Sequence, residues 1–358
     1  MPAMLSKKSK PKHRRVLRRK LTPLREPDRQ DLGAMAEETL SIIQDGSYVD
    51  AETGLIQNIA YQVSASIEKT CIYSSSSTGL IDSWQDGPRL QSLPPGQETQ
   101  IRFIEMSSLQ GARTLAQTVR SSGDSNYIGF LNCCSAKRPG GSFLKGGIEQ
   151  EECLARASTI SASLTSLAAS PFYHAHRHDD AAGFYDHQFI YTPNVVVIRG
   201  DRRPQDKVET GGGNFIQPFQ MSVVSSCAIN AQQIRSRRNR SSTSATNEDI
   251  EAVMRARMAR ILRVFEERGI RNLLLGAFGV GQPFHNNVET VARIWAELLA
   301  SPNAAFKHVF DRVWFAIDSR QSHLARFKKA FGDKVFEDEF TLELSSDEVD
   351  IDDWERVF

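Results

Sequence analysis

A chain of 358 residues, 40% of them hydrophobic, is long enough to bury one large core or two small ones. Its 44 Lys and Arg against 43 Asp and Glu leave a net charge of +1, which excludes a protein that coats nucleic acid over its whole surface. No apolar run approaches the ~18 residues of a membrane span, and no apolar segment follows the basic N-terminus as a secretory signal requires.

The charge is unevenly spread. Residues 7–20 carry nine Lys or Arg and no acid, whereas residues 337–358 carry ten Asp or Glu against Arg356 alone. Both ends read as tails, 1–28 basic and disordered and 331–358 acidic, with 29–330 left as the folded unit. The basic cluster is open to three readings: a nuclear-import signal, a mitochondrial presequence or a solvated tail. Cys71, Cys133, Cys134, Cys153 and Cys227 form no CxxC pair and read as reduced thiols of an intracellular protein, nuclear, cytoplasmic or both.

Along the chain, Leu32, Met35, Leu40, Ile42 and Ile43 predict a helix from about Arg29, stopped at Gly46. Short alternating segments at 54–59 and 99–104 read as strands, and the Ser-, Pro- and Gly-rich stretch 74–99 between them as a long loop. A helix over 108–121, a strand over 127–132, a glycine-rich loop and a helix over 148–168 follow. Strands are read at 189–191, 195–198 and 219–225, then an amphipathic helix at 247–268 closed by Gly269. A strand at 272–276, a helix at 287–300, a strand at 313–317 and a short helix at 322–330 complete the series. Segments 199–214 and 232–246 read as surface insertions, and Gly211, Gly212 and Gly213 as flexible loop. Alternating helices and apolar strands imply an α/β sandwich with a mixed sheet, and a ligand site beyond the strand C-termini.

The richest segment for chemistry is 138–152. Gly140, Gly141, Gly146 and Gly147 permit positive φ and close backbone approach, so successive N–H groups can face one anion. The helix that follows adds unpaired N–H donors and the positive end of its dipole, and its first turn holds Gln150, Glu151 and Glu152. A second glycine loop, 276–287, again connects an apolar strand to a helix. Together the two loops suggest a clamp on one diphosphate. Phe278 or Phe284 would then pack on a ribose or base, or else belong to the core.

Glycoside cleavage passes through an oxocarbenium-like state and needs a proton for the leaving oxygen and a base for water. Adjacent helical residues diverge by about 100°, so Glu151 and Glu152 cannot straddle one bond. One working carboxylate and one positioning carboxylate are expected. The bland alternative is a pair of acids that only complement the helix dipole; the flanking glycines and the second loop weigh against it.

Three other groups carry less. His174, His176, His178, Asp179 and Asp180 match no standard metal spacing and read as a polar loop, so no metal is expected. Cys133 and Cys134 read as small buried hydrophobes without a histidine partner. Arg255, Arg257, Arg260 and Arg263 of the 247–268 helix read as a solvated face opposite Met254, Met258, Ile261, Leu262 and Phe265.

Residues 131–158, LNCCSAKRPGGSFLKGGIEQEECLARAS, resemble the signature of microbial-type poly(ADP-ribose) glycohydrolases, a GGG loop followed by Gln-Glu-Glu. Segments beginning at Arg29, at 191–201, 218–231 and 273–284 are similar to further family segments in the same order, so the resemblance spans about 29–318. It implies a macrodomain-like three-layer α/β/α sandwich with a mixed central sheet, which binds ADP-ribose across both loops and cleaves its glycosidic link without a cofactor.

Carried over by position, Glu152 would be the acid/base, with Glu151 and Asn132 on the adjacent ribose and Gln150 beside them. Gly140, Gly141 and Ser142 would line the catalytic loop, Gly279, Val280 and Gly281 would hold the diphosphate, and Phe284 would face the distal ribose, near Phe278. Two departures stand out. Ser142 occupies the usual third glycine and places a Cβ toward the sugar, and Gln282-Pro283 shifts Phe284 by one residue.

The partners implied are ADP-ribosylated proteins, poly(ADP-ribose) and the ADP-ribose product, bound by a monomer. The chief alternative is a non-catalytic ADP-ribose reader; another is nucleic-acid binding through the basic N-terminus.

Overall fold

The structure, a computed structural model, describes residues 26–74, 81–123, 127–177, 183–201, 211–238, 246–317 and 323–332. The basic cluster 7–20 and the acidic segment 337–358 lie outside the described residues, as do His178, Asp179 and Asp180.

Elements run in the order α1 (Glu26–Asp45), β1 (Ser47–Val49), β2 (Ile56–Asn58), α2 (Ala60–Lys69), β3 (Cys71–Tyr73), β4 (Gln100–Ile104), α3 (Ser108–Ser121) and β5 (Ile128–Cys133). A 3₁₀ turn (Phe143–Lys145) leads to α4 (Gln150–Ala157), α5 (Ile160–Leu164), α6 (Ser170–Arg177), β6 (Phe189–Arg199) and β7 (Phe215–Ser226). The series ends with α7 (Ala231–Arg238), α8 (Asn247–Glu267), β8 (Asn272–Leu275), α9 (Val288–Leu299), β9 (Arg312–Ala316) and α10 (His323–Phe331).

Seven strands form one sheet in the order β3-β6-β7-β5-β8-β9-β4, and β1 pairs with β2 apart from it. Within the sheet only β6 runs against the rest, antiparallel to β3 and β7, while the β7-β5-β8-β9-β4 ladders are parallel.

Side-chain alternation assigns each face to its layer. Leu131, Leu273, Leu275, Val313 and Phe315 point into the core under α8, α9 and α10. Ile128, Phe130, Leu274, Trp314 and Ala316 point into the core shared with α1, α3, α4, α5 and α6. Both faces are therefore covered, which is why these strands read as unbroken apolar runs.

Helix starts follow local chemistry. Ser107 caps α3 by accepting the Gln110 N–H at 3.1 Å, and Asn287 caps α9 by accepting that of Thr290 at 2.8 Å. Thr246 and Asp249 form a reciprocal capping box at the start of α8.

Several expectations need correction. The 148–168 helix is broken. Ser158 is extended and bridges to Val197, and Thr159 bonds Val196 both through its N–H (2.9 Å) and by accepting the Val196 N–H on Oγ1 (3.0 Å). These Ser and Thr side chains bond backbone in competition with the helix. The histidine segment through Arg177 is helix α6 rather than loop. The two short strands at 189–198 are one strand with a bulge beside Asn194, at φ 57°. α2 has no counterpart among the elements expected from the sequence, and the 232–246 insertion opens with α7.

Arg255 of α8 is partly exposed, but the solvated-face reading fails for the other three arginines: Arg257, Arg260 and Arg263 are buried. Each carries a guanidinium to carbonyls of loop residues. Arg257 reaches Cys227 O (2.9 Å) and Phe184 O (2.9 Å). Arg260 reaches Ser74 O and pairs with Asp82, and Arg263 reaches Pro88 O and Glu266. The polar 81–99 stretch folds against this helix because these fixed donors hold it. Among the described residues no helix is long and apolar enough to cross a membrane, and all five cysteines are free thiols.

Candidate active site

A cavity of about 690 Å³ opens beyond the C-terminal ends of β4, β5, β8 and β9, where Met106, Cys133, Gly276 and Ala316 contribute to its wall. Its size suits a ligand of nucleotide dimensions. Both glycine loops reach it. Gly141, Ser142, Gln150, Glu151 and Glu152 line one side, and Phe278, Gly279, Val280, Gly281 and Phe284 the other. Asn132 and Gly140 stand behind the wall.

The two glutamates are held in different ways. Glu151 is nearly sealed, at 3% exposure, and turns back into the first loop to accept the N–H groups of Ser135 (2.7 Å) and Gly140 (3.2 Å). Burial pushes its carboxyl up to about 8 despite those donors. Glu152 is half-buried and faces the cavity. Its Oε1 accepts the Ser142 N–H at 2.8 Å and also the Ser142 hydroxyl, and its Oε2 accepts the Glu149 N–H at 2.9 Å.

Gly141, at φ 61°, is required here. A Cβ at this position would stand 2.9 Å from both Cγ and Oε1 of Glu152. Ser142 is different. Its φ of −114° suits any L-residue, and its hydroxyl donates to Glu152 Oε1. The departure from a third glycine thus supplies a donor to the carboxylate.

Gln150 is occupied structurally. Its Oε1 accepts the Cys133 N–H at 2.9 Å, and its Nε2 donates to Ser108 Oγ and Leu131 O, both at 3.2 Å. It buckles the start of α4 to the end of β5, which fixes where Glu151 and Glu152 emerge. Asn132 is fully buried and donates to Ser225 Oγ at 3.0 Å. Burial pushes the Cys133 thiol up to about 12, so it is no nucleophile at neutral pH.

In the second loop Gly279, at φ 69°, packs where a Cβ would overlap Ala228. Asn286 Nδ2 ties the loop internally by donating to Gly279 O (3.0 Å) and Ile229 O (2.8 Å). The Val280 N–H closes onto Ala277 O at 3.0 Å, so it is not a spare donor. The N–H groups of Gly281 and Gln282 find no acceptor among the described residues, and both residues line the cavity. Phe278 and Phe284 are buried at its floor.

Sequence reasoning missed Tyr185, which lines the cavity at φ 53°. Arg257 holds its carbonyl at 3.1 Å. The neighbouring Asp186 pairs with buried His176 at 3.2 Å, and His176 also bonds Phe172 O at 2.8 Å. Burial opposes the charge on His176, but the Asp186 carboxylate outweighs it and lifts the imidazole to about 10. His176 is therefore a brace. Among the described residues no three His, Cys, Asp or Glu are placed to hold a metal.

Residues 36–200 match the model of the microbial-type poly(ADP-ribose) glycohydrolase (PARG) catalytic domain. The chain is 30% identical to a poly(ADP-ribose) glycohydrolase structure from Thermomonospora curvata, over 87% of this chain and all of that one, with a TM-score of 0.70. The chain belongs to the microbial-type PARG family. A second Thermomonospora curvata PARG structure, bound to the inhibitor ADP-HPD, is 31% identical over 86% of this chain and 98% of that one, with a TM-score of 0.67. A Deinococcus radiodurans PARG in complex with ADP-ribose is 25% identical over 75% of this chain and 96% of that one, with a TM-score of 0.61. No curated protein sequence matches the chain. The seven-stranded mixed sheet between helical layers is the macrodomain-like architecture implied by the resemblance.

Proposed function

We infer that Glu152 is the acid/base of this poly(ADP-ribose) glycohydrolase, within a catalytic unit spanning residues 29–330. The family's matching model is a catalytic domain, which sets aside the reader alternative. The observation that carries the residue assignment is the Glu152 carboxylate, turned to the cavity and held by three donors from a loop shaped by glycine.

In the proposed reaction, the Glu152 carboxyl proton passes to the glycosidic oxygen as the bond to the distal ribose C1 breaks. An oxocarbenium-like ribose forms. The Glu152 carboxylate then takes a proton from the water that attacks C1, so the products are ADP-ribose and a polymer one unit shorter. Ser142 and the Glu149 N–H orient the carboxylate without moving during the cycle. Glu151, with both oxygens on loop N–H groups, fixes the first loop and presents its edge to the ribose. Gly281 and Gln282 offer N–H groups to the diphosphate, beside the dipole of α4, and Phe284 supports the ribose from below. The same site accommodates a unit attached to protein.

The test is release of ADP-ribose from automodified, ADP-ribosylated protein. Wild type releases it. Glu152→Gln, which keeps shape and loses the proton, is expected to be slower by on the order of 10³ while still binding ADP-ribose. A Gln variant with wild-type turnover would move the acid/base role elsewhere.

A further inference from the structure

Arg156 stands one helical turn beyond Glu152 in α4, on the same face of the helix, and is fully buried. Its guanidinium reaches the first glycine loop from within, where Nη1 donates to Phe143 O at 3.1 Å and Nη2 to Gly147 O at 2.6 Å. Those two carbonyls belong to the tight turn 142–147, which Ser142 O closes by accepting the N–H groups of Lys145 (2.8 Å) and Gly147 (3.2 Å). The backbone of the arginine is itself fixed from α1, whose buried Thr39 donates Oγ1 to Arg156 O at 2.7 Å.

The turn is the frame of the Glu152 carboxylate. Ser142, which gives Oε1 its two donors, immediately precedes Phe143, and Glu149, whose N–H meets Oε2, follows Gly147 by two residues. Gly147 lies between the two side chains. A Cβ on it would overlap Glu152 Oε2 and Ser142 Oγ, while its carbonyl is held by Arg156. The spacing of the two donor sets is thus governed by a fork that spans the turn. An apolar side chain would fill this buried place without the desolvation a guanidinium suffers there, yet it could not bridge two carbonyls. A lysine ammonium is a point donor and lacks the planar fork.

Resting on the reading of Glu152 as the acid/base, we propose that Arg156 is the positioning residue of that carboxylate. It does not line the cavity, so it touches no substrate and takes no proton. By gripping Phe143 O and Gly147 O it keeps the Ser142 and Glu149 N–H groups at the spacing of one carboxylate, and Glu152 stays aimed at the glycosidic oxygen through the cycle. The second loop, which offers its N–H groups to the diphosphate, makes no use of this fork. Loss of the fork therefore slows bond cleavage and leaves ADP-ribose binding in place.

Release of ADP-ribose from poly(ADP-ribose) is measured for wild type, Arg156→Lys and Arg156→Gln, each with Glu152 intact and again with Glu152→Gln. Rates are expressed per ADP-ribose-binding site, counted by titration with ADP-ribose, so that any misfolded fraction drops out. Arg156→Lys keeps the charge and the long stem and guards against a folding defect in Arg156→Gln. With Glu152 intact, the Lys variant is expected to be slower about tenfold and the Gln variant about 100-fold, the cost of a reacting group misplaced by about 1 Å, with ADP-ribose affinity within about threefold. In the Glu152→Gln background, followed in single turnovers with enzyme in excess, neither should add more than about threefold, because the arginine acts through the carboxylate. Equal slowing in both backgrounds overturns the proposal, as does unchanged turnover per site or a loss of ADP-ribose affinity as large as the loss of rate. Wild-type turnover in Glu152→Gln alone would remove the acid/base reading and the proposal with it; no arginine variant enters that measurement, so the two failures are told apart.

Discussion

In the first glycine loop the hydrogen bonds converge on carboxylates: Ser135 and Gly140 on Glu151, Ser142 and Glu149 on Glu152. In the second loop they converge on the loop itself, through Asn286, Ala277 and Gly281, over buried Phe278 and Phe284. One loop is therefore organised around two carboxylates, one of them the proposed acid/base whose charge would change during turnover. The other is a backbone shelf whose shape matters and which carries no carboxylate of its own. Glycine permits both, yet for different neighbours: Gly141 clears the Glu152 carboxylate and Gly279 clears Ala228. Disturbing the first should change the rate, and disturbing the second should change binding.

The sharpest way to break that division is a methyl group. Gly141→Ala keeps a strained φ of 61° and pushes its Cβ onto Cγ and Oε1 of Glu152. A carboxylate displaced by about 1 Å costs on the order of 100-fold, so kcat should fall that far with ADP-ribose affinity nearly unchanged. Steady-state kinetics with titration of the product checks this. Gly279→Ala should do the reverse. Its strain and the overlap with Ala228 cost about 1–3 kcal/mol, which appears as roughly tenfold weaker ADP-ribose binding with kcat close to wild type. A kcat defect of Gly141 size at Gly279 would erase the distinction between the loops.

Much of this division was legible in the sequence, because it rests on local chemistry. Glycine placement, the Gln-Glu-Glu turn and the apolar strand before each loop are written in contiguous residues. Contacts between distant segments were not. The solvated-face reading of Arg257 and Arg263 failed because a long polar side chain can be buried when loop carbonyls from residues far away in sequence need donors. The break at Ser158 depended on Val196 and Val197 of a strand read separately. Tyr185 reaches the cavity only because Arg257 and the His176–Asp186 pair hold its segment there. Gln150 lines the cavity, as its place beside the two glutamates suggests, but its bond to the end of β5 joins segments that no local pattern connects.

Glu151 sharpens the comparison through pH. Its carboxyl, ordinarily near 4.5, is held by burial at about 8, so the folded state keeps the proton more tightly than the unfolded chain. That contribution to stability is fully present below about 4.5 and is lost as pH rises through about 8. The unfolding midpoint of wild type should therefore fall, relative to Glu151→Gln, between those limits and level off above them. The Gln amide meets two loop N–H donors and lowers stability at every pH, so the slope is the test and the level is not. Parallel curves for the two proteins would mean that Glu151 is ionised throughout, with Ser135 and Gly140 prevailing over burial.

The smallest effect decides what Ser142 contributes. As a missing third glycine, it would hinder the sugar with its Cβ, and Ser142→Gly would then raise turnover. At φ −114° the backbone gains little from glycine, and the hydroxyl donates to Glu152 Oε1 beside the 2.8 Å bond from its own N–H. Losing one donor to a partly exposed carboxylate costs about 1 kcal/mol, or roughly fivefold in kcat. Ser142→Ala and Ser142→Gly should both show that loss, with ADP-ribose affinity unchanged, because both delete the hydroxyl while only one deletes the Cβ. A Gly variant faster than wild type beside a slower Ala variant would assign the effect to the Cβ and return the first loop to a simple cradle for the sugar.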